Sequence, residues 1–323
     1  MVYDYSNIEK LFLSGDIHGE FSTFFNEIKN KLSIKKEEKI ENVTPLRIGD
    51  STPLDFDPFT FKPRGGNKNY NDSVFIVAGD CGFGFNKYQY YIDVLTQMNE
   101  LLKLNNSHII FVRGNHDDPS YFNENKLEFS NIKLVADYSI IQTKNHCTLC
   151  VGGGISIDRV WRKTQESRLN KYSKNKDKRL YWEDEAPVFD KDKLDEIISS
   201  GIKIDSVVTH SSPKNMYPQD KPNYKNWLKL DKNLKKDVDN ERETLFNLYS
   251  FLLENKMDIK LWAYGHFHSQ YLDSTKDKIQ YLAMSDDYIF HDINNFIITE
   301  KDLNPKLTDS ILKNIDEIMH LEF

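Results

Sequence analysis

The chain has 323 residues, of which 39% are hydrophobic and 29% charged, enough for a layered domain with a sizeable core. Its formal net charge of −7 disfavours long nucleic acid as the main partner, because phosphate backbones are bound mainly by Lys and Arg. No run approaches the ~20 apolar residues of a transmembrane helix, and the N-terminus lacks the pattern of a signal peptide. We therefore expect a cytoplasmic protein that does not enter the membrane.

The first half of the chain alternates between predicted strands and helices. Apolar β-rich runs indicate strands, and apolar residues at helical spacing indicate helices. In chain order the predicted elements are strand 11–13, helix 20–32, strand 73–78, helix 86–104, a strand from residue 108, and strands 132–136, 139–142 and 148–151. Residues 33–72 are rich first in Lys and Glu and then in Pro, Gly and Asn, which predicts an insertion or surface loop.

The second half begins with residues 159–179, a run dense in Lys and Arg that we interpret as a solvated face rather than a nucleic-acid site. The further predicted elements are helix 191–200, a strand in IDSVVTH, helix 241–256, a strand in IKLWAYGH, two or three short strands and a C-terminal helix at 308–321. Residues 214–240 are polar and lysine-rich, which predicts a second insertion. We therefore expect a single domain over residues 1–323, with insertions at 33–72 and 214–240.

The three cysteines, an odd number in a long chain, predict no disulfide framework, which suits a reducing compartment. Cys147 and Cys150 have the spacing of half a zinc site, but no second pair lies nearby in the sequence. We interpret them as structural residues. Four histidines are likewise expected to be structural or exposed: His108, His146, His291 and His320.

Five times an apolar run ends and Gly, Asp, Asn or His follow at once, in GDIHG, GDCGFG, GNHDD, THSSP and GHFH. In open α/β sheets ligands collect outside the carboxyl ends of the strands, so these segments are expected to meet. The candidate side chains are Asp16, His18, Asp80, Asn115, His116, His210, His266 and His268. Carboxylates mixed with imidazoles suit a borderline divalent cation better than Ca²⁺ or Mg²⁺. The GD pair at Asp50 follows no convincing strand and is not expected to be functional.

The five blocks, in this order over residues 15–268, resemble the calcineurin-like metallophosphoesterase superfamily. GGGISIDR and YWEDEAP are similar to segments of uncharacterised bacterial or phage members. The resemblance implies an α/β fold (α+β in some schemes), a four-layer metallophosphoesterase sandwich of two mixed β-sheets flanked by helices. It also implies two divalent metal ions, with Mn²⁺ as the first expectation and Fe, Zn, Co or Ni as alternatives.

The resemblance further implies a role for each candidate residue. Asp16, His18 and His268 would hold the first ion, and Asn115, His210 and His266 the second, with Asp80 bridging the two. His116 would be the acid/base group rather than a ligand. Such a site would hydrolyse a phosphomonoester or phosphodiester, with nucleotides among the candidates, through a metal-activated hydroxide.

Two departures from protein-phosphatase-like relatives bear on the mechanism. Those relatives carry GD-x-x-DRG, whereas this chain has Phe83 in place of the Asp that orients the catalytic histidine and Gly84 in place of the phosphate-binding Arg. His116 would then be oriented by Asp117 or by a backbone carbonyl, or would contribute less to the reaction. The candidate phosphate-binding cations are Arg113, Arg159 and Arg162.

Three alternatives compete with a phosphoesterase of small substrates. A nuclease would need an open basic groove, and a Ser/Thr-type protein phosphatase is disfavoured by the departures at Phe83 and Gly84. A non-catalytic scaffold is the least favoured, because all seven expected ligand positions carry ligating residue types. The expected partner is a phosphorylated small molecule or nucleotide. Nucleic acid is less favoured, and the sequence indicates no particular protein partner.

Overall fold

The computed structural model describes residues 1–32, 70–124, 126–172, 177–217, 221 and 223–296. Its strands in chain order are β1 (Val2–Tyr5), β2 (Lys10–Ser14), β3 (Ser73–Val77), β4 (His108–Phe111), β5 (Ile132–Leu134), β6 (Ser139–Thr143), β7 (Cys147–Val151), β8 (Ser206–Thr209), β9 (Leu261–Tyr264), β10 (Tyr271–Ser274), β11 (Gln280–Ala283) and β12 (His291–Asp292). Its helices are α1 (Phe21–Lys31), α2 (Tyr88–Leu104), α3 (Ser120–Asn123), α4 (Arg159–Tyr172), α5 (Lys191–Ser199), α6 (Tyr224–Trp227), α7 (Leu234–Glu254) and a 3-10 helix at Ile293–Asn295.

The strands form two mixed sheets. The five-stranded sheet has the order β12-β2-β3-β4-β5, in which β2 to β5 are parallel and β12 is antiparallel to β2. The seven-stranded sheet has the order β1-β6-β7-β8-β9-β11-β10. Here β7, β8, β9 and β11 are parallel neighbours, while β6 and β10 run antiparallel to β7 and β11. In each sheet the parallel strands deliver their following loops to one edge.

Alternating side chains explain how the two sheets and the helices stack. Leu11 and Leu13 of β2 pack between the sheets with residues such as Val208 and Ala263, whereas Phe12 points to the opposite face. Phe12 lies in an apolar layer that α1 and α2 complete on the outside of the five-stranded sheet. On the outside of the seven-stranded sheet, β7 to β9 and β11 pack against α5 and α7. The result is the expected four-layer sandwich, which confirms the predicted fold class.

Several elements differ from the sequence-based expectation. Strand β1 was not predicted, since only Tyr5 of its four residues is buried and the pattern carries little apolar signal. The basic run from residue 159 contains helix α4, which buries none of its side chains. Helix α7 begins at Leu234, inside the predicted insertion at 214–240, rather than at Glu241. Leu234 is a single buried residue in a lysine-rich stretch, so no apolar periodicity marks this part of the helix in the sequence.

Some predictions fall outside the described residues. These are the insertion at 33–72 apart from its last three positions, the C-terminal helix, Asp50 and His320. The single-domain organisation stays a prediction. Within the described ranges, no helix is both long and apolar enough to cross a bilayer. The three cysteines are free thiols, and Cys147 and Cys150 pack on opposite faces of the seven-stranded sheet, in keeping with structural roles.

Candidate metal centre

The loops after β2, β3, β4, β8 and β9 carry the predicted side chains to one cleft between the sheets. The first two loops are joined by backbone hydrogen bonds, in which the His18 and Gly19 amides donate to the carbonyls of Asp80 and Cys81 at 2.7 and 3.0 Å. The loops after β8 and β9 are joined in the same way, since the Gly265 amide donates to the His210 carbonyl at 3.0 Å. Backbone hydrogen bonds thus hold these two pairs of loops together independently of their side chains.

The backbone in these loops is tightly turned. His18, Asp80, His266 and His268 all have positive φ, between 46° and 68°, which non-glycine residues rarely adopt and which is typical of functional sites. Gly79, with φ of 97°, is required beside Asp80, because a Cβ there would lie 2.3 Å from His210 Nδ1. Strained backbone conformations in these loops therefore accompany the close approach of the side chains.

One set of side chains, here called the outer cluster, consists of Asp16, His18, Asp80 and His268. One ligand atom from each lies within 4.8 Å of the others. The Nε2 atoms of His18 and His268 are 3.1 Å apart, and His268 Nε2 lies 3.4 Å from Asp16 Oδ2. The two carboxylates are buried, whereas the His268 side chain is 41% exposed. The outer cluster therefore faces solvent on its histidine side.

A second set, the inner cluster, consists of Asp80, Asn115, His210 and His266. His210 Nε2 lies 2.8 Å from Asn115 Oδ1, 3.0 Å from His266 Nδ1 and 3.1 Å from Asp80 Oδ1. All four residues are buried. The Nδ1 of His210 donates to the carbonyl oxygen of Ala78 at 2.8 Å, which directs Nε2 toward the other three residues.

These donor sets fit two divalent cations that share Asp80. Two ligands that each bind an ion at about 2.1 Å, at tetrahedral or octahedral angles, are about 3.0–3.4 Å apart, as several of these atoms are. Asp80 Oδ2 is buried and has no hydrogen-bond partner among the described residues. A buried carboxylate oxygen without a partner is costly, and a cation would satisfy it. The assignment of each ligand stays a prediction.

The charges of the site depend on one another. Burial alone would raise the pKa of Asp80, but the positive charges of His116 and His210 outweigh it and hold this pKa well below its ordinary value. Burial alone would lower the pKa of His210, yet Asp80 and Asp16 raise it to about 9. Burial and the charge of Lys221 hold the pKa of His266 well below its ordinary value. Asp80 is thus held in its ionised form, whereas His266 offers a neutral ring.

His116 stands beside this centre. Its Nδ1 lies 3.4 Å from Asp80 Oδ2, and its ring centroid lies 5.7 Å from that of His18. Burial lowers the pKa of His116 well below its ordinary value. The positive charge of Arg162 lowers this pKa further, and the negative charge of Asp80 raises it in part. The expectation that Asp117 orients His116 is not met. The carboxylate that faces the His116 ring is that of Asp80.

Asp117 has a different task. Its carboxylate accepts hydrogen bonds from the backbone amides of Cys81, Gly82, Phe83 and Gly114 at 2.7–3.0 Å. It therefore ties the loop after β3 to the loop after β4. Burial, and secondarily the charge of Asp80, raise the pKa of Asp117 to about 6.

The three candidate arginines have different surroundings. Arg113 is buried and pairs with Asp137 at 3.0 Å, while its guanidinium also donates to the Glu185 carbonyl at 2.9 Å. Arg159 pairs with Asp231 and Asp237, both at 2.6 Å. Arg162 pairs with Asp158 at 2.8 Å, and its charge reaches His116. The first two hold the fold together, and Arg162 is the one whose field acts on the site.

Lys221 is a site residue that the sequence did not reveal. Its Nζ lies 3.0 Å from His266 Nδ1, and burial lowers the pKa of its ammonium group, against the attraction of Asp80 and Asp16. In the sequence it belongs to a polar, lysine-rich stretch that reads as an insertion, so no local signal distinguishes it from its neighbours.

Known proteins resemble the chain to different degrees. Among solved structures, one similar protein is a cold-active protein tyrosine phosphatase, at 12% identity and a TM-score of 0.34, over 89% of this chain and 71% of that one. Another is a Staphylococcus aureus protein described as a 5′-nucleotidase, at 12% identity and a TM-score of 0.35; the match covers 93% of this chain and 58% of the nucleotidase. No curated protein matches the chain. The model of the calcineurin-like phosphoesterase family matches residues 10–270, and the chain belongs to this family of enzymes that hydrolyse phosphate esters.

Proposed function

We propose that the protein hydrolyses a phosphomonoester or phosphodiester, with a nucleotide among the candidate substrates, by means of two divalent cations. The observation that supports this most is the position of Asp80, whose carboxylate belongs to both clusters and has one buried oxygen without a hydrogen-bond partner in the described part of the chain. A single carboxylate shared in this way is what a pair of closely spaced ions requires.

In this proposal each ion has its own ligands besides Asp80. Asp16, His18 and His268 would hold one ion, and Asn115, His210 and His266 the other. When bound, the ions would supply Lewis-acid activation of the phosphoryl oxygens and of the attacking water. Because oxygen and imidazole donors are mixed, Mn²⁺ is the first candidate, followed by Fe, Zn, Co or Ni. The free cysteines favour a cytoplasmic setting.

The protein's own residues would then orient the ester and supply a proton. Since His116 Nδ1 faces Asp80, the opposite ring nitrogen, Nε2, is the one that would exchange a proton with the reacting water or the leaving oxygen. The negative charge of Asp80 raises the pKa of His116, against the larger effect of burial. Arg162 and Lys221 are the cations placed to attract the substrate phosphate, in place of the Arg that this chain lacks at Gly84.

The test combines metal content with ester hydrolysis. Purified protein reconstituted with Mn²⁺ should bind two ions per chain and hydrolyse p-nitrophenyl phosphate or bis-p-nitrophenyl phosphate. Asp80→Asn, which keeps the side-chain volume and removes the charge, should lower metal content and reduce the rate by more than about 100-fold, beyond the loss known for outer-shell partners. Asp72→Asn, an exposed carboxylate just before the same strand, is the matched control.

The possible outcomes separate the alternatives. Full metal content and rate in Asp80→Asn would overturn the shared role of Asp80. Bound metal without turnover of any ester would favour a non-catalytic scaffold. A panel that contains nucleotides, single-stranded DNA and RNA would distinguish a small-molecule enzyme from a nuclease.

A further inference from the structure

GGGISIDR and YWEDEAP meet beside the inner cluster, although the proposed reaction uses neither segment directly. Ser156 comes from the first segment and Glu185 from the second, and both are buried, at 2% and 1% exposure. We propose that Glu185 and Ser156 are positioning residues that fix the orientation of the Asn115 amide, so that its oxygen and not its nitrogen faces the inner cluster. This inference rests on the proposed function, because it assigns Asn115 as a ligand.

The three side chains form a continuous chain of hydrogen bonds. The Ser156 amide donates to Glu185 Oε1 at 3.0 Å, and the Ser156 hydroxyl donates to Glu185 Oε2 at 2.5 Å. Asn115 Nδ2 donates to Ser156 Oγ at 2.8 Å. On its other side, Asn115 Oδ1 lies 2.8 Å from His210 Nε2. We call this series of hydrogen bonds the Glu185 relay.

The polarity of the Glu185 relay sets the amide orientation. An ionised carboxylate only accepts hydrogen bonds, so the Ser156 hydroxyl must use its single proton toward Glu185. Ser156 Oγ then has only lone pairs left for Asn115, and the NH₂ end of the amide must face it. The carbonyl end is thereby turned toward His210 and the inner cluster. The two ends of an amide have nearly the same shape, so hydrogen bonding and not packing decides between them.

The surroundings make this choice strict. All three side chains are buried, so a flipped amide would place its NH₂ group against the inner cluster and set its oxygen against the Ser156 oxygen. A buried polar group without a partner costs about 1–3 kcal/mol, so the flipped form is strongly disfavoured. Burial raises the pKa of Glu185 to about 8, and the hydrogen bonds from Ser156 oppose this rise. The relay described here is the form with ionised Glu185.

Metal binding is the direct test. The stepwise affinities for Mn²⁺ are measured by titration followed by electron paramagnetic resonance at pH 8.5, above the pKa of Glu185. Ser156→Ala and Glu185→Gln should each weaken the second ion by about 10- to 100-fold, the range for outer-shell partners of metal ligands. The rate should recover largely at saturating Mn²⁺. Ser156→Thr, which keeps the hydroxyl, should restore affinity.

A double-mutant cycle separates orientation from general structural damage. Both ends of a carboxylate are oxygens, so Asn115→Asp has no wrong orientation. Ser156→Ala should therefore cost affinity in the wild-type protein and cost none in the Asn115→Asp background. Equal losses in both backgrounds would overturn the relay. Glu241→Gln, a buried carboxylate that accepts from the neighbouring Ile155 amide at 2.6 Å, controls for loss of a nearby buried charge and should leave the second ion in place.

The two proposals fail in different ways. If the wild-type protein binds no second ion or hydrolyses no ester, the proposed function is wrong. If the wild-type protein does both, and Ser156→Ala and Glu185→Gln keep the second ion within about twofold of the wild-type affinity, only the relay is wrong. Thermal unfolding of each variant with and without Mn²⁺ shows whether a loss of affinity reflects unfolding.

Discussion

His116 differs from the other histidines of the cleft in what its ring faces. In the outer and inner clusters, histidine ring nitrogens lie about 3 Å from another ring nitrogen. Among the described residues, the polar side-chain atom that His116 Nδ1 faces is Asp80 Oδ2, at 3.4 Å. Its side chain is 16% exposed, which leaves an edge of the ring open to a substrate. These features are typical of an acid/base residue beside a metal site rather than of a ligand.

We expect His116→Ala to retain both cations and to slow ester hydrolysis by about 10²- to 10⁴-fold, the usual contribution of acid/base catalysis. His268→Ala is the comparison, because it should lower the metal content itself. Elemental analysis and kcat on p-nitrophenyl phosphate are measured for both variants. Loss of a cation from His116→Ala would show that this residue is a ligand.

The candidate site residues that the sequence indicates are those with a local signal. Asp16, Asp80 and His266 each follow a glycine at the end of an apolar run, so both the residue type and its position after a predicted strand indicate a site. Arg113 also follows such a run, but its partners near residues 137 and 184–186 are distant in the sequence. The relay from Glu185 and the ammonium group of Lys221 are likewise created only by tertiary contacts.

The loop after β3 is best understood together with the helices that cover it. Phe83 is fully buried and its ring packs within 6 Å of those of Phe21, Tyr91 and Phe111. Phe85 lies nearer the surface and contacts Trp182, with ring centroids 5.1 Å apart. Gly84, between these two residues, has φ of 106°, and a Cβ there would lie 2.6 Å from a ring carbon of Trp182, so packing fixes both departures from the protein-phosphatase pattern.

Restoring the acidic residue of the relatives should damage this chain. Phe83→Asp would place an unpaired carboxylate in an aromatic core and is expected to destabilise the fold by at least about 3 kcal/mol. Phe85→Arg should change the stability by less than about 1 kcal/mol. Urea unfolding measures both. A stable and faster Phe83→Asp variant would show that this position is open to the catalytic histidine.

The elements that the sequence predicted best are those with a buried, periodic face. Strands β2 to β4 are almost wholly buried, and α2 buries residues along one side. Helix α4 could not be recognised as a helix from apolar periodicity, because none of its side chains is buried and ion pairs such as those of Arg159 hold its first turn in place. Among the described strands, β1 pairs with β6 alone, at the end of its sheet, where few residues need to be apolar.

Across the whole molecule, His146 links the two sheets far from the metal centre. It lies in the turn between β6 and β7, its Nδ1 is 3.4 Å from Asp205 Oδ2, and its Nε2 is 3.0 Å from Asn294 Oδ1 in the 3-10 helix after β12. Burial alone would lower the pKa of His146, but the contacts with Asp205 and Asn294 and the charge of Asp292 raise it above its ordinary value. A protonated His146 therefore favours the folded state.

The sign of the pH dependence follows from this shift. The stabilisation is fully present below the unfolded pKa of about 6.5 and is lost as the pH rises through the higher folded pKa. The stability advantage of the wild type over His146→Gln should thus be larger at pH 5.5 than at pH 9, as measured by urea unfolding. His108, whose pKa burial lowers to about 4, is the control, and the advantage over His108→Gln should change in the opposite direction. An equal stability advantage of the wild type over His146→Gln at both pH values would contradict the stabilisation of the folded state by protonated His146.

The division of ligands between the sheets has a consequence for how the protein matures. The loops of the five-stranded sheet carry Asp16, His18, Asp80 and Asn115, and those of the seven-stranded sheet carry His210, His266 and His268. Each proposed ion takes donors from both sheets, so neither half alone presents a complete coordination shell. Cations that bind only when the two sheets are packed together would stabilise that packing by mass action. Their uptake would therefore report the step of folding at which the two sheets come together.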